Sequence, residues 1–382
     1  MPNSEEFQFP TRGFVFWPVG TGDSTTVCVN EEVVVQLDLN HLQESEEEGD
    51  PHTPIVDRLE ALVPEVADEP HLAVFGLTHP DQDHCRGFSD LLERIHIGEL
   101  WFTPRIFSEF TEDLCDDAVS FRDEALRRVE ATIAAGGDPG DGDRIRLFGA
   151  SELLKEADYL GFPAEMLMVP GEAFTTINGE DLDGVFRAFV HAPFKDDIDA
   201  DRNDASLALQ VGLFDGDQAV RALLFGDLSY PVLKKIFDRS EDEDLGWNVM
   251  LSPHHCSKSA MYWQGPDDSE EVLKQEILDA MAQAAESPNH IFASSEPVPR
   301  SDQKGANPPH AKAKKRYEEV TETFLCTMEN PSEEAPEPLV FELGAGGSRY
   351  LGTIASAKSA TAVAAQARGG DQPPAEPTTY GR

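Results

Sequence analysis

Positive charge is what this 382-residue chain has least of: 30 Lys and Arg stand against 72 Asp and Glu, a net charge of −42. A field this negative repels nucleic acid at low salt, and added salt screens that repulsion. The imbalance weighs against a long nucleic-acid substrate without excluding one. Its plainest meaning is solvated surface suited to a salty cytoplasm, with acid runs over 44–50, 196–204 and 241–244. Long apolar runs are missing too. None approaches the ~20 residues that cross a bilayer. The start, Met1-Pro2-Asn3-Ser4-Glu5-Glu6, has no signal-peptide core. We therefore expect a cytoplasmic protein with no membrane partner. Cysteine is sparse. Cys28, Cys85, Cys115, Cys256 and Cys326 are odd in number and form no Cys-x-x-Cys pair, which fits free thiols in a reducing compartment. There is no internal repeat and no Gly-x-Gly-x-x-Gly or Walker loop after any strand. Gly20-Thr21-Gly22-Asp23 is too short to cradle a phosphate and opens onto a strand.

What is present is concentrated in six residues, His79-Pro80-Asp81-Gln82-Asp83-His84. They lie between an apolar run at 72–77 and a helix-like segment at 88–96, so they form a loop leaving a strand and entering a helix. In an extended loop alternate residues point the same way, so His79 and Asp81 can grip one cation. Asp83 and His84 then face a second position. Mixed imidazole and carboxylate ligands suit zinc, manganese or iron better than calcium or magnesium. One His-x-Asp would read as a polar loop with a helix cap; four ligand-type residues in six do not.

Apolar runs predict strands over 13–19, 25–29, 33–39, 72–77, 185–190, 206–213, 221–225, 248–251 and 290–293. Helical spacing predicts helices over 55–63, 88–96, 118–135, 272–285 and 311–321, and the 136–142 segment is a glycine-rich loop. Strands, helices, strands, helices favour two mixed sheets packed between helical layers, an αββα sandwich, over a doubly wound parallel sheet. A domain over 1–352 is expected, with an Ala-, Gly- and Pro-rich disordered tail over 353–382. Three later strands each end in a ligand type: His191, then Asp227, then His254 and His255. Singly each reads as a core histidine or a turn. Together they are what a two-metal site at one sheet edge requires.

With Val19-Gly20-Thr21-Gly22-Asp23-Ser24, Val35-Gln36-Leu37-Asp38, the 78–84 loop, Phe189-Val190-His191-Ala192-Pro193, Asn203-Asp204-Ala205-Ser206, Leu224-Phe225-Gly226-Asp227, Pro253-His254-His255-Cys256-Ser257 and Pro308-Pro309-His310 in that order, the chain resembles the metallo-β-lactamase fold. It looks most like soluble relatives of the hydrolase domain of ComEC-type competence proteins, over about 14–350. The resemblance implies that His79, Asp81 and His191 hold one metal and Asp83, His84 and His255 the other, with Asp227 bridging. Asp38 would orient the loop from behind through hydrogen bonds, with Asp23 supporting the same floor. His254 would point into the cleft as proton donor or anion binder, and His310 would approach the substrate. Cys256 stands where the family usually has Gly, so its side chain is expected to alter the rim. The stretch over about 99–185 matches poorly and is expected to be a partly helical insertion shaping the cleft.

Two divalent cations, zinc or manganese with iron also fitting, would make this a hydrolase. Asp83 or Asp227 could take a proton from the attacking water. A phosphodiesterase or nuclease is preferred, on a phosphodiester substrate that could be nucleic acid. Lys312, Lys314, Lys315 and Arg316, and Lys258 beside Ser257 and Ser259, are candidate phosphate contacts, although a solvated helix face explains the four-residue cluster as well. The missing basic patch also favours a small-molecule hydrolase acting on a phosphoester, cyclic nucleotide, lactam or thioester. A non-catalytic regulatory role fits an intact ligand set poorly, and a protein partner is left open.

Overall fold

Strand after strand in this chain is apolar on both faces, which suits sheets covered on both sides. The computed structural model describes residues 7–108, 113–156, 159–198, 202–266, 268–344 and 347–352, so the expected tail lies outside them. Two mixed sheets pack face to face. The larger runs, in spatial order, Gly347–Gly352, Leu339–Gly344, Gly13–Phe16, Thr25–Cys28, Val34–Leu37, Glu69–Gly76, His96–Phe102, Arg144–Phe148 and Leu167–Met168, with a short strand Glu65–Val66 beside Glu69–Gly76. Its neighbours are antiparallel as far as Val34–Leu37 and parallel from there on. The smaller sheet repeats the plan: Ala173–Phe174, Phe186–Ala192, Ala208–Asp215 and Gln218–Leu224 are antiparallel, then Trp247–Leu251, Ala285–Ala293 and Thr323–Cys326 run parallel.

Side-chain alternation builds the layers. Phe14 and Phe16, Leu209 and Val211, Ala222 and Leu224, and Val249 and Leu251 meet between the sheets. The opposite face of the larger sheet puts Val15, Leu72 and Phe75 against the helices Ile55–Leu62, Phe88–Arg94 and Asp116–Ala135 through Leu59, Phe88, Leu91 and Phe121. The opposite face of the smaller sheet puts Leu223, Trp247 and Met250 against Tyr230–Arg239, Gln275–Ala284 and Ala311–Tyr317 through Leu233, Ile236, Met281 and Tyr317. Each of these buried large side chains contributes about 1.5–3 kcal/mol. The result is helix, sheet, sheet, helix. Among the described residues no helix is long and apolar enough to cross a membrane.

Three segments depart from expectation. The helix expected to reach His96 stops at Arg94, and His96–Phe102 is a parallel strand. Together with Arg144–Phe148 and the helix Asp116–Ala135 it makes these parts of 99–185 members of the larger sheet and its helical cover, while Thr176–Ile177 and Glu180–Asp181 form a separate hairpin. Val272–Leu273 belongs to a hairpin with Tyr262–Trp263, so the following helix begins only at Gln275. In both sheets the carboxyl ends of the parallel strands face one edge, where ligands gather in open α/β sheets.

Candidate metal centre

The loop after Glu69–Gly76 is held from behind by Asp38. Its Oδ1 accepts the Thr78 backbone N–H at 2.7 Å, and its Oδ2 accepts Thr78 Oγ1 at 2.7 Å and His84 Nδ1 at 2.7 Å. A carboxylate only accepts, so the His84 proton sits on Nδ1 and its Nε2 lone pair faces forward. Gly22 lies against the same loop: a Cβ there would lie 2.6 Å from the Asp83 carbonyl oxygen and 2.4 Å from Asn40 Nδ2, so no other residue fits.

The second group of imidazoles comes from the end of Trp247–Leu251. His254, His255 and Cys256 take φ of +50°, +52° and +66°, three successive left-handed residues that are not glycine. Each costs about 1–2 kcal/mol, and such strain collects at functional sites. This turn aims both rings at Asp227. His255 Nδ1 donates to the Ser294 carbonyl at 3.2 Å, which leaves its Nε2 lone pair 3.2 Å from His84 Nε2. Two lone pairs cannot face each other at that distance without a positive charge between them. Burial disfavours a proton on either ring, but Asp227 and Asp38 around His84, and Asp227 and Asp23 around His255, pull both well above the ordinary imidazole pKa.

Asp227 organises the whole cluster. Its Oδ1 lies 3.3 Å from His84 Nε2 and 3.4 Å from His255 Nε2. Its Oδ2 lies 3.5 Å from His254 Nε2 and 3.8 Å from His79 Nε2. One carboxylate therefore shows each oxygen to a separate pair of imidazoles. Asp83 Oδ2 joins the first pair at 3.4 Å from His255 Nε2, and Asp81 Oδ2 the second at 3.6 Å from His79 Nε2. Buried Asp227 Oδ1, His79 Nε2 and Asp23 Oδ1 have no hydrogen-bond partner. Asp23 Oδ1 is 3.2 Å from His255 Nδ1, but that N–H is aligned on Ser294. Asp23, His84, Asp227 and His255 offer ligand atoms within 4.8 Å of one another. Buried lone pairs without donors, on imidazole and carboxylate, are what a pair of divalent cations requires. Asp81 is pushed up by burial but held at about 2 by His79 and Arg202; burial likewise raises Asp83, and His255 and His84 hold it well below the carboxylate range. Both are anionic.

Several expected residues stand elsewhere. His191 does not join Asp227: its Nδ1 pairs with Ser240 Oγ at 2.9 Å and its Nε2 with the Asp244 carbonyl at 3.1 Å. Burial lowers its pKa to about 3, so it is a neutral core histidine. His254 takes its place at the second oxygen of Asp227, and burial lowers its pKa as well. Cys256 does not reach the rim; it is fully buried, 3.9 Å from the His310 carbonyl oxygen. His310 is buried and both ring nitrogens are engaged, with the Lys258 N–H and the Ala306 carbonyl. It positions the 256–258 backbone. Ser257 is buried and bonded to Ser259, and Lys258 pairs with Glu271 at 2.5 Å. Of the basic cluster, Lys314 pairs with Glu329 and Arg316 with Glu319, while Lys312 lies over the Tyr262 ring at 5.7 Å.

The residues missed in the sequence are Arg202, Thr78 and Ser294. Arg202 Nη1 contacts Asp81 Oδ1 at 2.7 Å. An arginine alone inside an acid run, next to Asn203-Asp204-Ala205-Ser206, was the available signal. Ser294 carries none, because its contribution is a carbonyl oxygen. A cavity of about 580 Å³ opens onto the cluster, lined by Asp83, His254, His255, Lys258, Trp263 and His310 among others.

Solved structures similar to this one are metallo-β-lactamase fold proteins. The YhfI protein of Bacillus subtilis is 11% identical, with 82% of this chain covering 95% of that one at a TM-score of 0.34. The Rm3 metallo-β-lactamase is 14% identical over 74% of this chain and 92% of its own, TM-score 0.36. The archaeal superfamily protein ST1585 of Sulfolobus tokodaii is 14% identical over 82% and 97%, TM-score 0.30. No protein-family model matches the chain, and no curated protein matches it. What speaks for a metal centre is this chain's own side chains.

Proposed function

We propose that the protein is a metal-dependent hydrolase that cleaves a phosphodiester of small-molecule size, with nuclease activity the wider form of the same chemistry. The observation that carries the reading is Asp227, whose two oxygens each face their own pair of imidazoles. His79, His254 and Asp81 would hold one divalent cation, and His84, His255, Asp83 and Asp23 the other, with Asp227 shared. Zinc, manganese or iron all suit this donor set. When bound, two such ions lower the pKa of water and polarise a substrate oxygen.

The side chains supply the rest. Asp83 is anionic, lines the cleft and can accept the proton of the attacking water. His84 is fixed in one tautomer by Asp38, and His255 by Ser294, so neither ring needs to reorganise. Arg202 holds Asp81 by one oxygen and leaves the other turned toward His79. The small size of the substrate is supported by the closed ion pairs around the cleft. Lys258, Lys314 and Arg316 already have acidic partners, so no open basic track for a polyanion is formed by them. A carboxylic substrate, lactam or thioester, is the second reading, favoured by the same scarcity of free cations. The narrower likeness to ComEC-type hydrolases rests on the sequence motifs alone.

The test is turnover of a chromogenic phosphodiester, a thioester and a lactam by untagged protein loaded with zinc or manganese. Diester hydrolysis is expected, reduced about 100-fold or more in Asp83→Asn, on the scale of a lost general base. Metal-loaded protein that ignores the diester but opens the lactam or thioester would replace the first reading by the second. Protein that takes up no metal would end both.

A further inference from the structure

At the far end of the same parallel strands a second set of metal-ligating side chains converges. It lies on the order of 20 Å from the cluster around Asp227, about a strand's length away. Glu69–Gly76 and His96–Phe102 run in parallel with His71 directly opposite His96. The two rings stack at 5.3 Å with planes 21° apart. Asp141 reaches them from the 136–142 loop. Its Oδ1 is 3.2 Å from His71 Nε2 and its Oδ2 2.8 Å from His96 Nε2.

The surroundings are shaped to let the three meet. Asn178 Nδ2 donates to Asp141 Oδ1 at 2.5 Å and fixes the carboxylate. Gly142, at φ +82°, has room for no side chain: a Cβ would lie 2.9 Å from His96 Cε1. A Cβ at Gly98 would lie 2.7 Å from Asp141 Oδ1. The His71 ring is buried and its Nδ1 has no partner, so Nε2 is its one polar outlet, and it is turned on Asp141. His96 and Asp141 are exposed, which leaves a way in for an ion and room for water to complete its shell.

We propose that His71, His96 and Asp141 form a separate binding site for one first-row transition-metal ion, zinc or nickel, which ties the 136–142 loop to the sheet edge. Two imidazoles and a carboxylate exclude magnesium and calcium as preferred occupants. The ion replaces the protons that Nε2 of each ring otherwise shares with Asp141. The negative field of the whole chain raises the local concentration of cations at this exposed position. The site owes nothing to the hydrolase reading and stands if that reading fails.

The test uses untagged full-length protein, stripped with a chelator and dialysed against zinc. Wild type is expected to hold one zinc more than His96→Gln and one more than Asp141→Asn. Both substitutions are at exposed positions, and equal urea midpoints in zinc-free buffer will confirm that the fold is kept. A readout needing no substitution is amide exchange in wild type: zinc should slow exchange over 136–142. Equal zinc counts in all three proteins, or exchange over 136–142 that zinc leaves unchanged, would overturn the proposal.

Discussion

At His191 a single ring is worth a measurable slope in stability against pH. Its environment is carbonyl, hydroxyl and apolar ring, and burial depresses its pKa from 6.5 to about 3. The folded protein needs the neutral form. Below pH 6.5 the unfolded chain takes up a proton that the folded chain refuses until about pH 3. The stability contributed by the neutral ring is thus complete above pH 6.5 and falls as pH drops toward 3, by ~1.4 kcal/mol per unit, or roughly 3 kcal/mol by pH 4. Urea midpoints of wild type and His191→Gln between pH 7 and pH 4 should converge as pH falls. Parallel curves would show that His191 is protonated in the fold. The same residue marks a limit of local reading. A histidine closing an apolar strand looks the same in His191 and in His255. Strand alternation, with Ala188 and Val190 between the sheets, puts His191 on the helical side against Ser240, whereas the left-handed turn sends His255 to Asp227.

The element that most needs its own chemistry is the 253–256 turn. Three left-handed residues in a row hold two of the proposed ligands, and Cys256 is the last of them. Glycine there would release about 1 kcal/mol of strain and lose a buried thiol of similar worth. Cys256→Gly should therefore keep its metal content and shift stability by no more than about 1 kcal/mol. Cys256→Val puts a β-branched side chain at φ +66° and should cost about 3 kcal/mol or more, with loss of metal. Denaturation midpoints and elemental analysis read both, and a valine variant as stable as the glycine one would refute the strained turn. Elements of this kind are poorly visible in sequence. The 78–84 loop was legible because four of the six consecutive residues 79–84 are of ligand type, two histidines and two aspartates. The strands His96–Phe102 and Leu339–Gly344 were not, since each owes its state to a distant neighbour: Glu69–Gly76 for the first, Gly13–Phe16 for the second.

For the whole molecule, charge is the dominant variable. A net −42 repels itself, and the Debye length falls from ~10 Å at 0.1 M to ~3 Å at 1 M salt. Thermal midpoints should rise by several degrees when potassium chloride is raised over that range, and a flat or falling midpoint would mean that local ion pairs, not net repulsion, govern stability. The four layers explain how so charged a chain folds at all: its acids lie outside three continuous apolar clusters, one between the sheets and one under each helical layer.

The amino-acid order alone determined the ligand-type residues, the loop that carries four of those residues and the succession of apolar strands, because each depends on neighbours a few residues apart. Only the tertiary structure decided which rings share Asp227. His84 and His255 are 171 positions apart, and their meeting depends on sheet pairing and on the hand of one turn. It also decided that His254 stands where His191 was expected, and that Asp141 reaches His71 and His96. These are long-range contacts, set by how layers pack, and no local pattern encodes them.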